Sequence, residues 1–465
     1  MRGLLTRAFF IRGLDPGMAS NVRSDIAVRF AEIHPPFDPQ AALVEANRCL
    51  YCFDAPCSAA CPTHIDVPRF IKKIATDNLR GSALTILEAN ILGASCSRVC
   101  PVEVLCEGAC VMHRYNRQPI EIGRLQRHAM DFFYGNGAKL PWKPASERLA
   151  KVACIGAGPA SLACAAELRR HGYSVTIFES RPLAGGLNTY GVAEYKLRPA
   201  DSLREVELVK SLGVNFLFGV TVGDKITVED LERDYQAIFL AIGLGPTAPL
   251  NLPGEDLAGV VDALRFIADY KTAQTIPVGR KVAVIGGGNT AIDAANAAKR
   301  LGAEEVTMVY RRGEREMPAF PFEYEHSKLE GVQFCFQAQP LAIRPSHIDP
   351  GRVGALECVR VELGAPDASG RRKPKPIPGS QVWIECDMVI PALGQSRFLE
   401  FLRRCRGIEV RDGSVVVDRQ TGRTSNPRYY AAGDCVNGGR EVVDAVAEGK
   451  RAGAGIVSWL EAQNG

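Results

Sequence analysis

Two segments of this chain share a pattern of apolar strand, glycine-rich turn, helix and second strand. The first is LAKVACIGAGPASLACAAELRRHGYSVTIFES, and the second is GRKVAVIGGGNTAIDAANAAKRLGAEEVTMVY. In each, a short apolar run bounded by glycine predicts a buried strand, and the alternation of strand and helix predicts a parallel βαβ unit. The chain is therefore predicted to be an α/β protein with two Rossmann-like nucleotide-binding domains.

The first glycine turn predicts a dinucleotide site. Gly156 permits a tight turn, Gly158 lets the backbone approach a pyrophosphate, and the following helix begins at the phosphate. Glu179 ends the second strand, 23 residues after Gly156, where a carboxylate can accept hydrogen bonds from ribose hydroxyls. The predicted phosphate-binding residues are Gly156, Gly158, Pro159, Ala160 and Ser161.

The second glycine turn differs at its strand end. The position equivalent to Glu179 is Val309, and Arg311 and Arg312 follow shortly after it. A carboxylate there would repel the 2′-phosphate of NADP, whereas two guanidinium groups can bind it, so NADPH is expected and NADH is the alternative. A solvated basic turn is the ordinary reading of two arginines. The predicted turn residues are Gly286, Gly288, Asn289, Thr290 and Ala291.

Eight of the fifteen cysteines lie between Cys49 and Cys110, in two runs that each contain a Cys-Pro pair. Clustered thiolates without interleaved histidines suit zinc or iron–sulfur clusters. The later cysteines include no closely spaced pair that could serve as a redox disulfide beside a flavin. If one nucleotide site holds a flavin, the cysteine runs are its natural electron outlet, and this favours iron because zinc has no redox chemistry.

The amino-acid composition excludes few classes of protein. The 56 Lys and Arg residues nearly balance 52 Asp and Glu residues, so charge indicates neither nucleic acid nor a membrane as partner. No apolar stretch is long enough to span a membrane, and we expect a cytoplasmic protein. The start of the chain, before Met18, is interpreted as an extension or as a start codon placed too far upstream.

The expected order is a helical cluster domain followed by the two nucleotide-binding domains, the second inserted in the first. A late Gly433-Asp434 pair after an apolar run would return the chain to the first domain, and an exposed, charged hairpin loop is expected at 365–380. The predicted segments are 1–37, a partly disordered extension; 38–148, the cluster domain; 149–279 and 396–465, the FAD domain; and 280–395, the NAD(P)H domain.

The motifs RCLYCFDAPCSAACPTHIDVPRFI, SCSRVCPVEVLCEGAC, PIEIGRLQ, IGAGPAS, IGGGNTAID and AAGDCV together resemble the flavin subunit of bacterial NAD(P)-dependent dihydropyrimidine dehydrogenase. They also resemble the N-terminal half of the single-chain enzyme and, more distantly, the small subunit of glutamate synthase. The likeness runs from about residue 38 to the C-terminus.

The resemblance implies FAD and two 4Fe-4S clusters with crossed ligands. It assigns Cys49, Cys52, Cys57 and Cys110 to one cluster, and Cys61, Cys100, Cys106 and Gln126 to the other. Cys96 is then a spare cysteine that binds neither cluster. The sequence alone predicts that Gln126 is an ordinary residue on a helix surface. The resemblance places FAD on the first turn and Glu179, and also on Leu187, Lys196, Gly433 and Asp434. We also place Gly394 among the cofactor-binding residues.

These inferences predict a subunit that takes electrons from NADPH and passes them through FAD and the clusters to a partner. That partner would carry FMN and further clusters and would interconvert uracil or thymine and 5,6-dihydropyrimidines. No catalytic acid or base is expected, because hydride transfer to a flavin needs none. The alternatives are the glutamate synthase small subunit, an NADPH:ferredoxin-type or bifurcating oxidoreductase, and a zinc-stabilised nucleotide-binding regulator.

Overall fold

The computed structural model describes residues 28–272, 277–367 and 371–464. Most of the predicted extension, residues 1–27, lies outside the described residues. None of the helices in these ranges is long and apolar enough to cross a membrane.

The first part of the described chain is helical. Its helices pack around a core that includes Phe70, Ile71, Ile86 and Leu125, all of which are buried. Side chains of Asp38, Asp66 and Asn78 accept hydrogen bonds from backbone amides at the helix starts, as N-caps do. The helices are α1 (Pro39–Asn47), α2 (Pro56–Ala60), α3 (Val67–Ala75), α4 (Leu79–Ala89), α5 (Gly93–Val99) and α6 (Ile122–Gly135).

The first nucleotide-binding domain is built on a parallel sheet with the strand order β14-β4-β1-β2-β3. Its strands are β1 (Lys151–Ile155), β2 (Ser174–Glu179), β3 (Asn215–Phe218), β4 (Ala237–Leu240) and β14 (Tyr429–Ala431). Its helices up to β4 are α7 (Pro159–Arg170), α8 (Leu187–Tyr190), α9 (Pro199–Lys210) and α10 (Val228–Asp234). Since β14 pairs with β4 after a long excursion, the prediction that the second domain is inserted in the first is confirmed.

The second domain has a four-stranded parallel sheet, β11-β5-β6-β7, and a three-stranded antiparallel sheet, β10-β9-β8. The strands are β5 (Lys281–Ile285), β6 (Glu305–Tyr310), β7 (Gln333–Phe336), β8 (Ala338–Pro345), β9 (Val353–Pro366), β10 (Arg372–Glu385) and β11 (Met388–Pro391). The helices are α11 (Ala263–Lys271), α12 (Asn289–Leu301) and α13 (Pro321–Leu329).

β9 and β10 form the hairpin expected at 365–380, but the expected loop is too long, because β9 ends at Pro366 and β10 begins at Arg372. Pro374 and Pro376 stand opposite Leu363 and Val361 of β9. Prolines are tolerated there because β10 lies at the edge of its sheet, where a missing N–H leaves no ladder partner unpaired.

The chain ends in a long helix that packs against the first glycine-turn helix. The remaining elements are α14 (Leu399–Arg404), β12 (Val410–Arg411), β13 (Ser414–Val415), α15 (Asp434–Asn437) and α16 (Val442–Asn464). A Cβ atom at Gly449 would stand 2.1 Å from the Ala160 carbonyl oxygen. Only glycine therefore allows α16 to cross α7 this closely, and the crossing holds the last helix over the first glycine turn.

Candidate functional sites

A cleft of about 350 Å³ opens at the carboxyl edge of the first sheet. Parallel sheets bind ligands at this edge, where helix N-termini and strand ends converge. The predicted residues that line it are Gly156, Gly158, Pro159, Ala160, Glu179, Leu187, Gly433 and Asp434. The fold thus brings together the first turn, the second strand end and the late Gly-Asp pair, which are far apart in sequence.

The two glycines of the first turn have different roles. Gly156 has a φ of +91°, and a Cβ atom on it would stand 2.4 Å from the Ala241 carbonyl oxygen. A Cβ atom on Gly158 would instead meet nothing within 4 Å, in the cleft at the start of α7. Gly156 is needed for the turn itself, and the space beside Gly158 fits the pyrophosphate of a dinucleotide such as FAD.

The Glu179 carboxylate is held in place by the backbone. It accepts hydrogen bonds from the amides of Ala157 and Arg181, each 2.8 Å long. A carboxylate has room for further donors, so these bonds orient it and still allow it to accept ribose hydroxyls. Ser161 is buried beneath the turn, and its hydroxyl has no hydrogen-bond partner among the described residues.

Further residues of the cleft were not predicted from the sequence. Tyr190 lines it and accepts a hydrogen bond from the Leu183 amide (3.0 Å). Asn188 and Glu441 line it as well. The available signal was the Gly185-Gly186 pair, whose positive φ values start the α8 turn. Burial raises the pKa of both Asp434 and Glu441.

Lys196 does not line this cleft. Its Nζ lies 2.6 Å from Asp293 Oδ1 and 2.7 Å from Glu323 Oε2, so it joins the first domain to α12 and α13 of the second. Burial acts to lower the Lys196 pKa, but the two carboxylates outweigh it and the pKa is raised. The role of Lys196 at a cofactor stays a prediction, as does that of Gly394, which is also absent from the lining.

A second buried lysine holds the same loop. Lys271 Nζ donates to the carbonyl oxygens of Asn188, Val192 and Leu197, at 3.0, 2.6 and 3.0 Å. Burial lowers its pKa to about 7. The segment that leaves the first cleft is thus tied to the second domain by two lysines.

The second glycine turn is similar to the first but has different surroundings, and the φ of its first glycine is +152° in place of +91°. Gly286 stands so close to the Ala392 carbonyl oxygen that a Cβ atom would be 2.5 Å from it, while Gly288 again borders open space. Asn289 accepts a hydrogen bond from the Phe320 amide (3.0 Å). Thr290 is exposed and Ala291 is buried.

The two arginines follow β6 at the edge where this turn lies. Arg311 is exposed, and Arg312 is half-buried with its Nε lacking a hydrogen-bond partner in the described chain. A buried guanidinium nitrogen without an acceptor is costly, and a phosphate oxygen would satisfy it. The turn and the arginine therefore fit a phosphorylated nucleotide.

Four thiols form the outer thiol group, which consists of Cys49, Cys52, Cys57 and Cys110. They line one cavity of about 30 Å³, bounded by the start of α3 and the segment after Cys110. Burial raises the pKa of Cys57 to about 11, and the charges of Cys49 and Cys110 add to the effect. Bound iron would offset this cost by neutralising the thiolates, so the residues fit a cluster.

Cys61, Cys100 and Cys106 form the inner thiol group. A hydrogen bond with Cys96, burial and the charges of Cys96, Cys106 and Cys61 raise the pKa of Cys100, so these sulfurs are neighbours. Gln126 is buried, and its Nε2 donates to the Gly93 carbonyl (2.7 Å), so ligation would fall to Oε1. Cys96, which the resemblance leaves as a spare cysteine, also lies beside Cys100, and the two sets of cluster ligands stay a prediction.

No group of three or more His, Cys, Asp or Glu side chains in the described ranges is arranged to hold a single metal ion. In a four-iron cluster each thiolate binds a different iron, so the sulfurs stand further apart than ligands that share one ion.

A cleft of about 150 Å³ connects the inner thiol group to the nucleotide-binding domains. Cys100 lines it together with Tyr195 and Lys196 of the first domain and Phe322 and Glu323 of the second. The helix α5 that leads to Cys100 is held against the first domain by Glu205, which accepts the amides of Ala94 (2.8 Å) and Ser95 (3.1 Å). Cys100 is therefore placed where all three domains meet.

Two family models match the chain. Residues 26–138 match the model described as dihydropyrimidine dehydrogenase domain II, 4Fe-4S cluster. Residues 150–449 match the pyridine nucleotide-disulphide oxidoreductase model. The first match covers both cysteine runs, and the second covers both glycine turns.

Curated relatives cover almost the whole chain. The glutamate synthase [NADPH] small chain of Escherichia coli is 35% identical over 93% of this chain and 94% of its own length. The beta subunit of the NADP(+)-dependent formate dehydrogenase of Moorella thermoacetica is 38% identical over 87% of this chain. The chain spans only 60% of that subunit's length.

Solved structures share the fold of the nucleotide-binding part. Mycobacterium tuberculosis FprA in complex with NADPH has a TM-score of 0.56 and 21% identity, over 68% of this chain and 86% of its own. Thioredoxin reductase from T. acidophilum has a TM-score of 0.52 and 21% identity, over 66% of this chain and 97% of its own. At this identity the likeness concerns the fold alone.

Proposed function

The chain belongs to the pyridine nucleotide-disulphide oxidoreductase family and is an NADPH-dependent flavin and iron–sulfur oxidoreductase, and we propose that it is the electron-entry subunit of a larger enzyme. The observation that carries this proposal is the cleft at which Cys100 meets both nucleotide-binding domains. In this proposal, electrons leave the nucleotide-binding domains through the thiol at this junction.

Each part of the chain has a separate task in this proposal. Bound FAD would accept hydride from NADPH, and 4Fe-4S clusters would release the electron pair one electron at a time. The turn at Gly156 and Glu179 hold one nucleotide, and the turn at Gly286 and Arg312 hold the other. The inner and outer thiol groups hold two clusters, with Gln126 as the eighth ligand. Fifteen free thiols suit a reducing compartment, so we place the protein in the cytoplasm.

The partner is proposed to be a subunit with FMN and iron–sulfur clusters that interconverts uracil or thymine and the 5,6-dihydropyrimidine. The DAPCSAACPTHID stretch and the match of residues 26–138 support this choice. A second candidate is the large subunit of an NADPH-dependent glutamate synthase. Its support is a 35% identical small chain matched over 94% of both lengths.

The experiment has two stages. Protein purified without oxygen is expected to contain one FAD and about eight irons per chain and to reduce ferricyanide with NADPH. A colourless protein that contains zinc and lacks this activity would refute the assignment as an oxidoreductase. The complex purified from the native host is then assayed with NADPH and uracil, or with NADPH, glutamine and 2-oxoglutarate. Consumption of NADPH with glutamine and 2-oxoglutarate, but not with uracil, would replace the pyrimidine assignment with glutamate synthase.

A further inference from the structure

The outer thiol group lies under exposed apolar side chains. Phe53 is fully exposed between Cys52 and Cys57, and Leu50 is 52% exposed between Cys49 and Cys52. On the preceding helix α1, Leu43 and Val44 are exposed as well. Four large apolar side chains exposed within eleven residues of the chain indicate an interaction site. We refer to Leu43, Val44, Leu50 and Phe53 as the apolar patch.

The loop that carries the patch keeps an unfavourable backbone. Tyr51 and Ala55 have φ values of +50° and +39°, in the left-handed region that non-glycine residues avoid. Such conformations persist only where the surrounding structure enforces them. This loop holds Cys49, Cys52 and Cys57 around one cavity, while Phe53 is fully exposed and Leu50 is half exposed at the rim of that cavity.

The two thiol groups differ in their distance from the nucleotide-binding domains. Cys100 of the inner group lines a cleft with Lys196 of the first domain and Glu323 of the second. The cavity of the outer group is lined by residues of the helical domain alone. Electron transfer weakens steeply with distance, so the path runs from the nucleotide-binding domains through the inner group to the outer group.

The surface around the outer group is basic. Arg69 and Lys72 are exposed on α3, and Arg114 and Arg117 are exposed in the segment after Cys110. The segments 48–57, 66–72 and 110–122 border the cavity. Their acids with exposed side chains are Asp54, Asp66 and Glu121, and Glu121 is paired with Arg124. This charge disfavours a second copy of the chain as occupant and favours an acidic face.

We infer that the apolar patch and its basic rim are the docking surface for the electron-accepting partner protein, a conclusion that rests on the proposed function. The partner's face is apolar at the centre and acidic at the rim, with a one-electron redox centre close to its surface. Each transfer oxidises the chain by one electron and reduces the partner's centre by one. Two transfers match the electron pair that one NADPH supplies.

The test uses an acidic ferredoxin with two 4Fe-4S clusters as the probe and the full chain loaded with its cofactors. Binding is measured by calorimetry and electron transfer by NADPH-driven ferredoxin reduction. The variant is Leu50→Ser/Phe53→Ser, and the matched control is Leu149→Ser/Leu329→Ser, which removes two exposed apolar side chains elsewhere. Iron content and the visible spectrum check that the clusters are intact, because Leu50 and Phe53 neighbour predicted ligands. A second variant, Leu43→Ser/Val44→Ser, avoids that neighbourhood.

The patch variants are expected to bind ferredoxin about tenfold more weakly than the wild type, since central apolar residues dominate binding energy. The control is expected to bind normally, and NADPH–ferricyanide activity to stay unchanged in all variants. The charge reversal Lys72→Glu/Arg114→Glu should weaken binding further and flatten its dependence on salt.

Wild-type affinity in the patch variants would overturn the inference, and so would a wild-type protein that reduces ferricyanide but does not bind ferredoxin. A wild-type dimer that the patch variants dissociate would make the patch a contact between copies and would overturn it too. Absence of NADPH–ferricyanide activity in the wild type would instead refute the proposed function.

Discussion

The two nucleotide-binding domains use one turn geometry for different purposes. In both, a first glycine packs against a carbonyl oxygen and a later glycine, Gly158 or Gly288, borders open space. The first turn opens into a cleft of about 350 Å³, with the Glu179 carboxylate fixed by two amides. The second has an exposed Thr290 and two arginines. The glycines are thus placed alike in the two domains, and the side chains around them differ.

The largest expected effect comes from breaking the ion pairs that join the two domains. Lys196→Met leaves Asp293 and Glu323 buried without their cation, which should lower the free energy of unfolding by about 3–5 kcal/mol. Urea denaturation measures this loss in the free energy of unfolding. Lys210→Met, on exposed α9 surface, is the control and should be nearly neutral. If Lys196→Met is as stable as this control, the domains are not held by this lysine.

The next effect separates the two glycines of the first turn. Gly156→Ala adds about 1–3 kcal/mol of backbone strain at φ +91° and a contact of 2.4 Å, so it should lower the Tm and release FAD. Gly158→Ala meets no protein atom, so it should keep the Tm of the apoprotein but bind FAD more weakly. FAD content and Tm of purified protein measure both effects. An equal Tm for the two apoproteins would contradict the distinction.

The arginines after β6 provide the contrast with Glu179. Arg311→Ala/Arg312→Ala should raise the KM for NADPH about 10- to 100-fold, because charged hydrogen bonds to the 2′-phosphate are lost. The KM for NADH should change little. Arg403→Ala/Arg419→Ala removes the same charge elsewhere and serves as the control. Equal increases for NADPH and NADH would refute the phosphate-binding role.

The smallest expected effect concerns Lys271, at the other contact between the domains. Its pKa is about 7 in the folded protein and about 10.5 when unfolded, so the unfolded state binds more protons between these values. Stability should therefore rise with pH through this window, by about 1 kcal/mol from pH 7 to pH 8. Lys271→Met should abolish this increment in chemical denaturation at several pH values. An unchanged pH dependence would show that Lys271 does not titrate there.

Local sequence patterns were enough to predict the two glycine turns, because strand, turn and helix are contiguous in each. The thiol groups were harder, since Cys110 joins Cys49 and Cys52 only when the helical domain folds. Their membership came from resemblance to a family and not from spacing. The hairpin loop expected at 365–380 was too long, because β10 accepts prolines at the edge of its sheet.

The sequence by itself determined the α/β class, the order of the domains, the insertion of the second in the first, and the chemistry that glycine turns and thiolates can support. Only the tertiary structure decided which distant residues become neighbours. Lys196 forms ion pairs with Asp293 and Glu323, and Cys100 lines a cleft together with residues of both nucleotide-binding domains. The physical reason is that periodicity and turn chemistry act between near neighbours. Ion pairs and shared clefts depend on how whole domains pack, and residues far apart in sequence become neighbours only then.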